Sequence, residues 1–287
     1  MQKNVKDKSI DLVFCDPPYG IEGDTLDQHY HRDESKVVGG YIDVPISHYA
    51  EFSTAWITEM ARVLKPGGSF YIVSGFTGFR HILNALDALG LVVENHLAAK
   101  YPFGVSTKKK YVSSHYHVVY GHKRPSTKKT FNTNVYFSDQ RDSYNDRLSV
   151  QELPRDNKRN EVKNKNQLSE SFIEKFILYS SNRGDTILDP FMGGFTTGRV
   201  ALRYGRKFVG FELNEQAFEI FAPTLDDVKV KDDPVVIHPS AEDLAAREKQ
   251  REGWRKKRLE RKEAKQTTYK ELFEDGKGLH SDDKRRS

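Results

Sequence analysis

The chain of 287 residues is 37% hydrophobic, enough to bury one large or two modest cores, and it nowhere gathers the roughly 20 consecutive apolar residues of a membrane span. A single cysteine, Cys15, excludes a disulfide framework, and the charged start MQKNVKDKSID lacks the apolar middle of a secretory signal, so a reducing, cytoplasmic setting is expected. The net charge of +5 is unevenly spread: residues 101–165 carry 14 Lys and Arg against 6 Asp and Glu, residues 239–287 carry 15 against 11, and the remainder is acidic. A basic middle in an acidic body is what a phosphate-facing surface looks like.

Apolar runs alternate with helix-like stretches and no solenoid-length repeat appears, which predicts an α/β fold: a doubly wound, Rossmann-like sheet, mostly parallel with an antiparallel strand. IDLVFCD, from Ile10, is continuously apolar, as a strand covered on both faces would be. A helix from about Ser47 to Leu64 is stopped by Lys65-Pro66-Gly67-Gly68, and the strand SFYIVSG follows. A helix near Phe79 to Leu89 ends at Gly90, LVVENHLAAKY reads as a strand, and SSHYHVVYGHKR alternates like an antiparallel strand with one exposed side.

Residues 125–165 are too polar for a core and long for a plain loop, so they read as an insert. Regular structure resumes with the helix SESFIEKFILYSS, the strand DTILDPF, a helix from Thr196 to Tyr204 and the strand KFVGFE. The tail is rich in helix formers with a weak apolar pattern, which suits a charged helix on the surface or standing free, partly disordered. The expected division is 1–122 and 166–238 as two halves of one domain, 123–165 as the insert and 239–287 as the tail.

ILDPFMGGFTTGRVALRYGRKFVGFELN combines a strand, a glycine turn, a helix and a second strand closed by Glu212. Gly193 and Gly194 let a ligand approach the main chain, Thr196 and Thr197 open a helix whose free N–H groups can hold a carboxylate, and Glu212 can accept both hydroxyls of a ribose. A nucleoside-like cofactor follows, although Gly-x-Gly-x-x-Gly spacing is absent and nicotinamide binding is disfavoured. Cys15 reads as core packing. His115, His117 and His122 are not expected to hold a metal, because strand alternation turns His122 to the other face.

Asp16-Pro17-Pro18-Tyr19, followed by the basic insert and then by DPFMGGFTTG from Asp189, resembles the S-adenosylmethionine-dependent amino-methyltransferases of DNA, in particular the beta class of adenine-N6 enzymes. That resemblance covers residues 1 to about 220 and includes RVLKPGGSFYIVSG and SSNRGDTILDPF. It implies S-adenosylmethionine as cofactor, held by Asp189, Phe191, Gly193, Gly194, Thr196, Thr197, Glu212 and Asn214. It further implies that Asp16 and the Pro17 carbonyl accept the two N6 hydrogens of a flipped adenine, that Pro17 and Pro18 fix the loop, and that Tyr19 stacks on the base.

Double-stranded DNA is the implied partner, in a prokaryotic or phage setting, together with a restriction endonuclease, a second methyltransferase subunit or a homodimeric mate. Lys108, Lys109, Lys110, Lys123, Arg124, Lys128, Lys129, Arg141 and Arg147, interleaved with aromatics, are the expected phosphate contacts. The competing readings are a catalytically weak DNA-binding subunit of the same fold, and the same chemistry on cytosine N4 or RNA.

Three departures from the family pattern bear on activity. Phe195 replaces a small residue in the cofactor turn, NKNQL at Asn164 to Leu168 replaces a lysine-proline pair, and little sequence precedes Lys6 where relatives place a strand. Val235 to Ile237 is the candidate to supply that strand.

Overall fold

The structure is a computed structural model that describes residues 1, 4–20, 38, 43–101, 108–109, 111–124, 129–133, 147–153, 167–234 and 241–274. The chain forms two compact units, Met1–Val236 and Ile237–Ser287. In the first, the strands are β1 (Ile10–Cys15), β2 (Leu64–Ser74), β3 (Val92–Lys100), β4 (His115–His122), β5 (Val150–Glu152), β6 (Thr186–Asp189) and β7 (Lys207–Gly210). Its helices are α1 (Tyr49–Val63), α2 (Phe76–Ala88), α3 (Glu170–Ser180), α4 (Thr196–Arg203) and α5 (Glu215–Phe221).

One sheet runs in the order β5-β3-β4-β2-β1-β6-β7, and β4 alone is antiparallel to its neighbours. Alternation along β1 sorts the core into two layers. Leu12 and Phe14 meet α3 and α4 on one face, while Val13 and Cys15 meet α1 and α2 on the other. The continuous apolar run of β1 is therefore explained by helices on both sides.

Three elements differ from expectation. Residues Lys65 to Gly68 continue β2 instead of forming a turn: Gly67 takes φ +81° and exchanges main-chain bonds with Lys123 through Gly67 N and Gly68 O. β4 has no exposed side along its middle, since Val118, Val119 and Tyr120 are buried in succession between β2 and β3. The insert is tied to the body where it is described. Val150–Glu152 adds β5 to the sheet edge, Phe131 stacks on Tyr179 at 5.4 Å, and Asn132 donates to the Leu178 and Ser181 carbonyls.

Beyond β7 the chain comes back to Arg206, the residue before that strand: its buried guanidinium donates to the carbonyls of Tyr204 (2.7 Å) and Ser181 (2.8 Å) and pairs with Asp233. Arg206→Ala is expected to destabilise the fold by about 2–3 kcal/mol, because the buried Tyr204 and Ser181 carbonyls would lose their charged donor. Urea midpoints of the two proteins check this. Val235 to Ile237, the candidate extra strand, lies outside the described residues. In the second unit, Ala241–Glu274 forms one helix, α6, with Trp254 and Leu259 exposed. No helix of the described residues is long and apolar enough to cross a membrane.

Candidate active site

The chain leaves β1 toward β2 on one side and later comes back to place β6 and β7 on the other. The strand order thus reverses between β1 and β6, whose carboxyl ends lie side by side, and a crevice opens where the two connections diverge. A cavity of about 400 Å³ occupies that position. Its walls include Asp16, Pro17, Pro18 and Tyr19 after β1, Asp189, Phe191, Gly193 and Gly194 after β6, Thr196 and Thr197 at the start of α4, and Glu212 and Asn214 after β7. All twelve residues predicted for catalysis and cofactor binding therefore line one space.

The loop after β1 is held from two sides. Tyr49, fully buried at the first turn of α1, donates its hydroxyl to the Pro18 carbonyl at 2.5 Å, and Gly20 N donates to the Asp43 carboxylate at 2.8 Å. Gly78 on α2 leaves the room this requires, since a Cβ there would meet the Tyr49 ring at 2.5 Å. Tyr19 is turned inward: its hydroxyl donates to Asp16 Oδ1 at 2.6 Å, and its ring lies 5.7 Å from that of Tyr116.

The turn after β6 is built around two carboxylates. Asp189 accepts from Thr197 Oγ1 at 2.6 Å and from Phe191 N at 3.0 Å, which fixes the first turn of α4 against the strand end. Glu212 accepts from Gly193 N and Asn214 N, both at 2.8 Å, so it is already aimed along the turn. Asn214 caps α5 by accepting from Ala217 N.

Phe195 does not obstruct the cavity. It adopts φ +60°, a conformation that costs an ordinary residue about 1–2 kcal/mol, and this directs its ring away from the cavity into a cluster with Met192, Ala217 and Phe221. Its burial, at 1% exposure, offsets that cost. Gln167 and Leu168, at the end of NKNQL, line the cavity.

The electrostatics are set by two acids at adjacent strand ends. Burial pushes the Asp16 carboxyl up to about 7, with its Tyr19 hydrogen bond pulling the other way and the neighbouring Asp189 adding to the rise. Asp189 is likewise raised to about 7, chiefly by burial, with Thr197 and Phe191 N opposing and Glu212 adding. Burial, helped by both aspartates, drives the Cys15 thiol well above its ordinary value, so it is a packing residue without nucleophilic character at neutral pH. Carboxylates gathered in an apolar crevice are matched to a cationic ligand.

Sequence reasoning missed one wall. Phe52 and Trp56, one turn apart on α1, join Phe191, Phe211, Val44 and Met1 to form an apolar end, with Trp56 edge-on to Phe191 at 5.4 Å. Their helical spacing is indistinguishable from core packing in a sequence. Flat apolar walls beside the Glu212 carboxylate suit a planar ring that carries polar groups at one end.

The predicted phosphate contacts fall into different places. Lys108 and Lys109 are exposed in the connection between β3 and β4, at the sheet edge that carries the cavity. Lys123 lies elsewhere: its ammonium donates to the Ala61 and Leu64 carbonyls at the end of α1, and the register pairs its neighbour His122 with Ser69, at the edge opposite the cavity. Lys129 is bound to Glu94 at 2.6 Å and lies over the Tyr120 ring. Arg124 and Arg147 are exposed, and Lys110, Lys128 and Arg141 lie outside the described residues.

A switch-point crevice with acids on both sides of the seam, inside a sheet of this order, is the arrangement of Rossmann-like methyltransferases. The sequence profile described as "DNA methylase" matches residues 10–223. The chain belongs to that family. The type II methyltransferase M.HpaI of Haemophilus parainfluenzae is 30% identical over 236 residues, spanning 78% of this chain and 70% of that protein. The DNA adenine methyltransferase YhdJ of Escherichia coli (strain K12) is 30% identical over 278 residues, spanning 88% and 85%. Among solved structures, the M1.HpyAVI–SAM complex matches with TM-score 0.52 at 21% identity, over 78% of this chain and 91% of its own. The PvuII cytosine-N4-specific DNA methyltransferase matches with TM-score 0.57 at 16% identity, over 80% and 90%. Those two likenesses are of fold.

Proposed function

We propose that this protein transfers a methyl group from S-adenosylmethionine to the N6 amino group of adenine in double-stranded DNA. The observation that carries the reading is that Asp16 to Tyr19 and Gly193, Thr197 and Glu212 line the same cavity from opposite sides of the β1–β6 seam. YhdJ, named as an adenine enzyme, is similar over most of both chains, which supports adenine over cytosine.

When bound, S-adenosylmethionine supplies a methyl group activated on a cationic sulfur. The cavity fits it: Glu212 stands where a ribose would be held, Phe52, Trp56 and Phe191 wall the purine end, and Asp189 offers negative charge beside the start of α4. On the other side of the seam, Asp16 and the Pro17 carbonyl accept the two N6–H groups of the extruded base, which localises the nitrogen lone pair toward the methyl group. Bond formation at nitrogen would accompany loss of the methyl group from sulfur, and Asp16 or water would take the extra proton from the nitrogen. Tyr49 and Gly78 hold the loop so that these acceptors stay aimed.

Double-stranded DNA is then the partner. A paired restriction endonuclease fits the type II system for which M.HpaI is named, and a second methyltransferase subunit or a homodimer would supply further DNA contacts. The deciding experiment incubates the protein with S-adenosylmethionine and mixed-sequence duplex DNA or RNA, followed by nucleoside mass spectrometry. N6-methyladenine in DNA is the expected product; N4-methylcytosine, or product from RNA alone, would overturn the assignment.

A further inference from the structure

A solitary exposed ring on a protein surface needs no explanation. Phe76 is different, because it is 83% exposed at the first position of α2, two residues beyond the end of β2, and therefore at the same sheet edge as Asp16. The residue before it, Gly75, lies against Tyr19: a Cβ there would meet that ring at 3.4 Å. Behind Phe76 stands His117, at 6.1 Å, which itself stacks on Phe79 at 4.4 Å and meets the rings of His115 and His96 at 4.9 and 5.0 Å. Burial first, then His96 and His115, push His117 down to about 4, so the ring directly behind Phe76 is uncharged at neutral pH. Exposed Lys108 and Tyr111 lie in the connection between β3 and β4, which ends at this same edge.

We propose that Phe76 is the wedge that holds the duplex open, entering the base stack beside the adenine as that base turns into the cavity. The inference rests on the DNA reading above and adds to it the residue that opens the helix. Three features carry it. The ring stands free in water beside the catalytic crevice, it is mounted on the short junction between β2 and α2, and one residue of main chain, Gly75, separates it from Tyr19 in the wall of the base pocket. Apolar side chains placed between base steps unstack them, and a neutral aromatic backing tolerates the bases that are displaced. The cations of the adjoining connection would meet the phosphates of the same segment.

The test begins by mapping, with wild-type protein on mixed-sequence duplex DNA, the adenine that becomes methylated, and then placing 2-aminopurine at that position in a short duplex. Wild-type protein should raise the 2-aminopurine fluorescence severalfold. Phe76→Ala should lose most of that rise and lower kcat by about tenfold to a hundredfold, with Kd for S-adenosylmethionine unchanged and recovery in Phe76→Trp. On a duplex whose target adenine already faces an abasic site, Phe76→Ala should match wild type within about twofold, because no pair remains to be opened. Equal fluorescence from Phe76→Ala on the paired duplex would overturn the proposal. So would an equal loss on the abasic duplex, which would make Phe76 a structural residue. Absence of N6-methyladenine from the wild-type reaction would instead remove the DNA reading, and the wedge with it.

Discussion

Asp16→Ala is expected to lower kcat by about 10²–10³-fold while Kd for S-adenosylmethionine stays within about twofold. An exocyclic amine is a weak nucleophile because its lone pair is shared with the purine ring. In the proposed reaction the carboxylate after β1 pulls on its hydrogens, whereas Glu212 is held by Gly193 N and the start of α4 by Asp189. Asp16→Asn should recover only part of the rate, since an amide carries one accepting oxygen and no charge. The same carboxyl sets the pH profile. Its value near 7 means that below neutrality it holds a proton and becomes a donor where an acceptor is needed. The rate should therefore fall about tenfold per pH unit below 7 and level off above it. A flat profile between pH 5 and 8, or full activity in Asp16→Ala, would remove Asp16 from the reaction. The sign is opposite for stability. Asp16 and Asp189 bind protons more tightly folded than unfolded, so the ligand-free protein should lose stability as pH rises from about 4 to about 7.

Glu212→Ala should weaken S-adenosylmethionine binding by about 100-fold, corresponding to roughly 3 kcal/mol from two charge-assisted hydrogen bonds. Two effects add. The ribose acceptor disappears, and the Gly193 and Asn214 N–H groups lose the oxygen that orients them. Gln should recover part of the affinity because one accepting oxygen remains. Isothermal titration reads the change directly, and unaltered affinity in a folded Glu212→Ala protein would place the ribose elsewhere. In contrast to Asp16, the defect should appear in binding and be largely overcome by saturating cofactor.

The elements that a sequence shows well are those whose pattern is local. β1, β6 and α3 could be read because apolar runs and helical spacing encode burial directly, and the two loops because proline, glycine and acidic residues are grouped within ten positions. What stayed hidden depends on partners far away in the chain. Phe52 and Trp56 face a cavity, yet their spacing only says that one helix face is covered. Lys123 looks like any basic residue of the insert until the β2–β4 register carries it to the wrong edge. Phe195 seemed obstructive because one letter does not reveal a left-handed backbone. β5 has three residues, too few for periodicity to register.

The seam between β1 and β6 also governs how the chain is made. β1 pairs with β2, which follows it by about 50 residues, but its other edge gains a partner only when β6 appears about 170 residues later. Until then a strand of buried residues presents open backbone to its surroundings on the ribosome, a template for wrong pairing. Contacts this distant in sequence form slowly, so the closing of this seam should be a late step in folding.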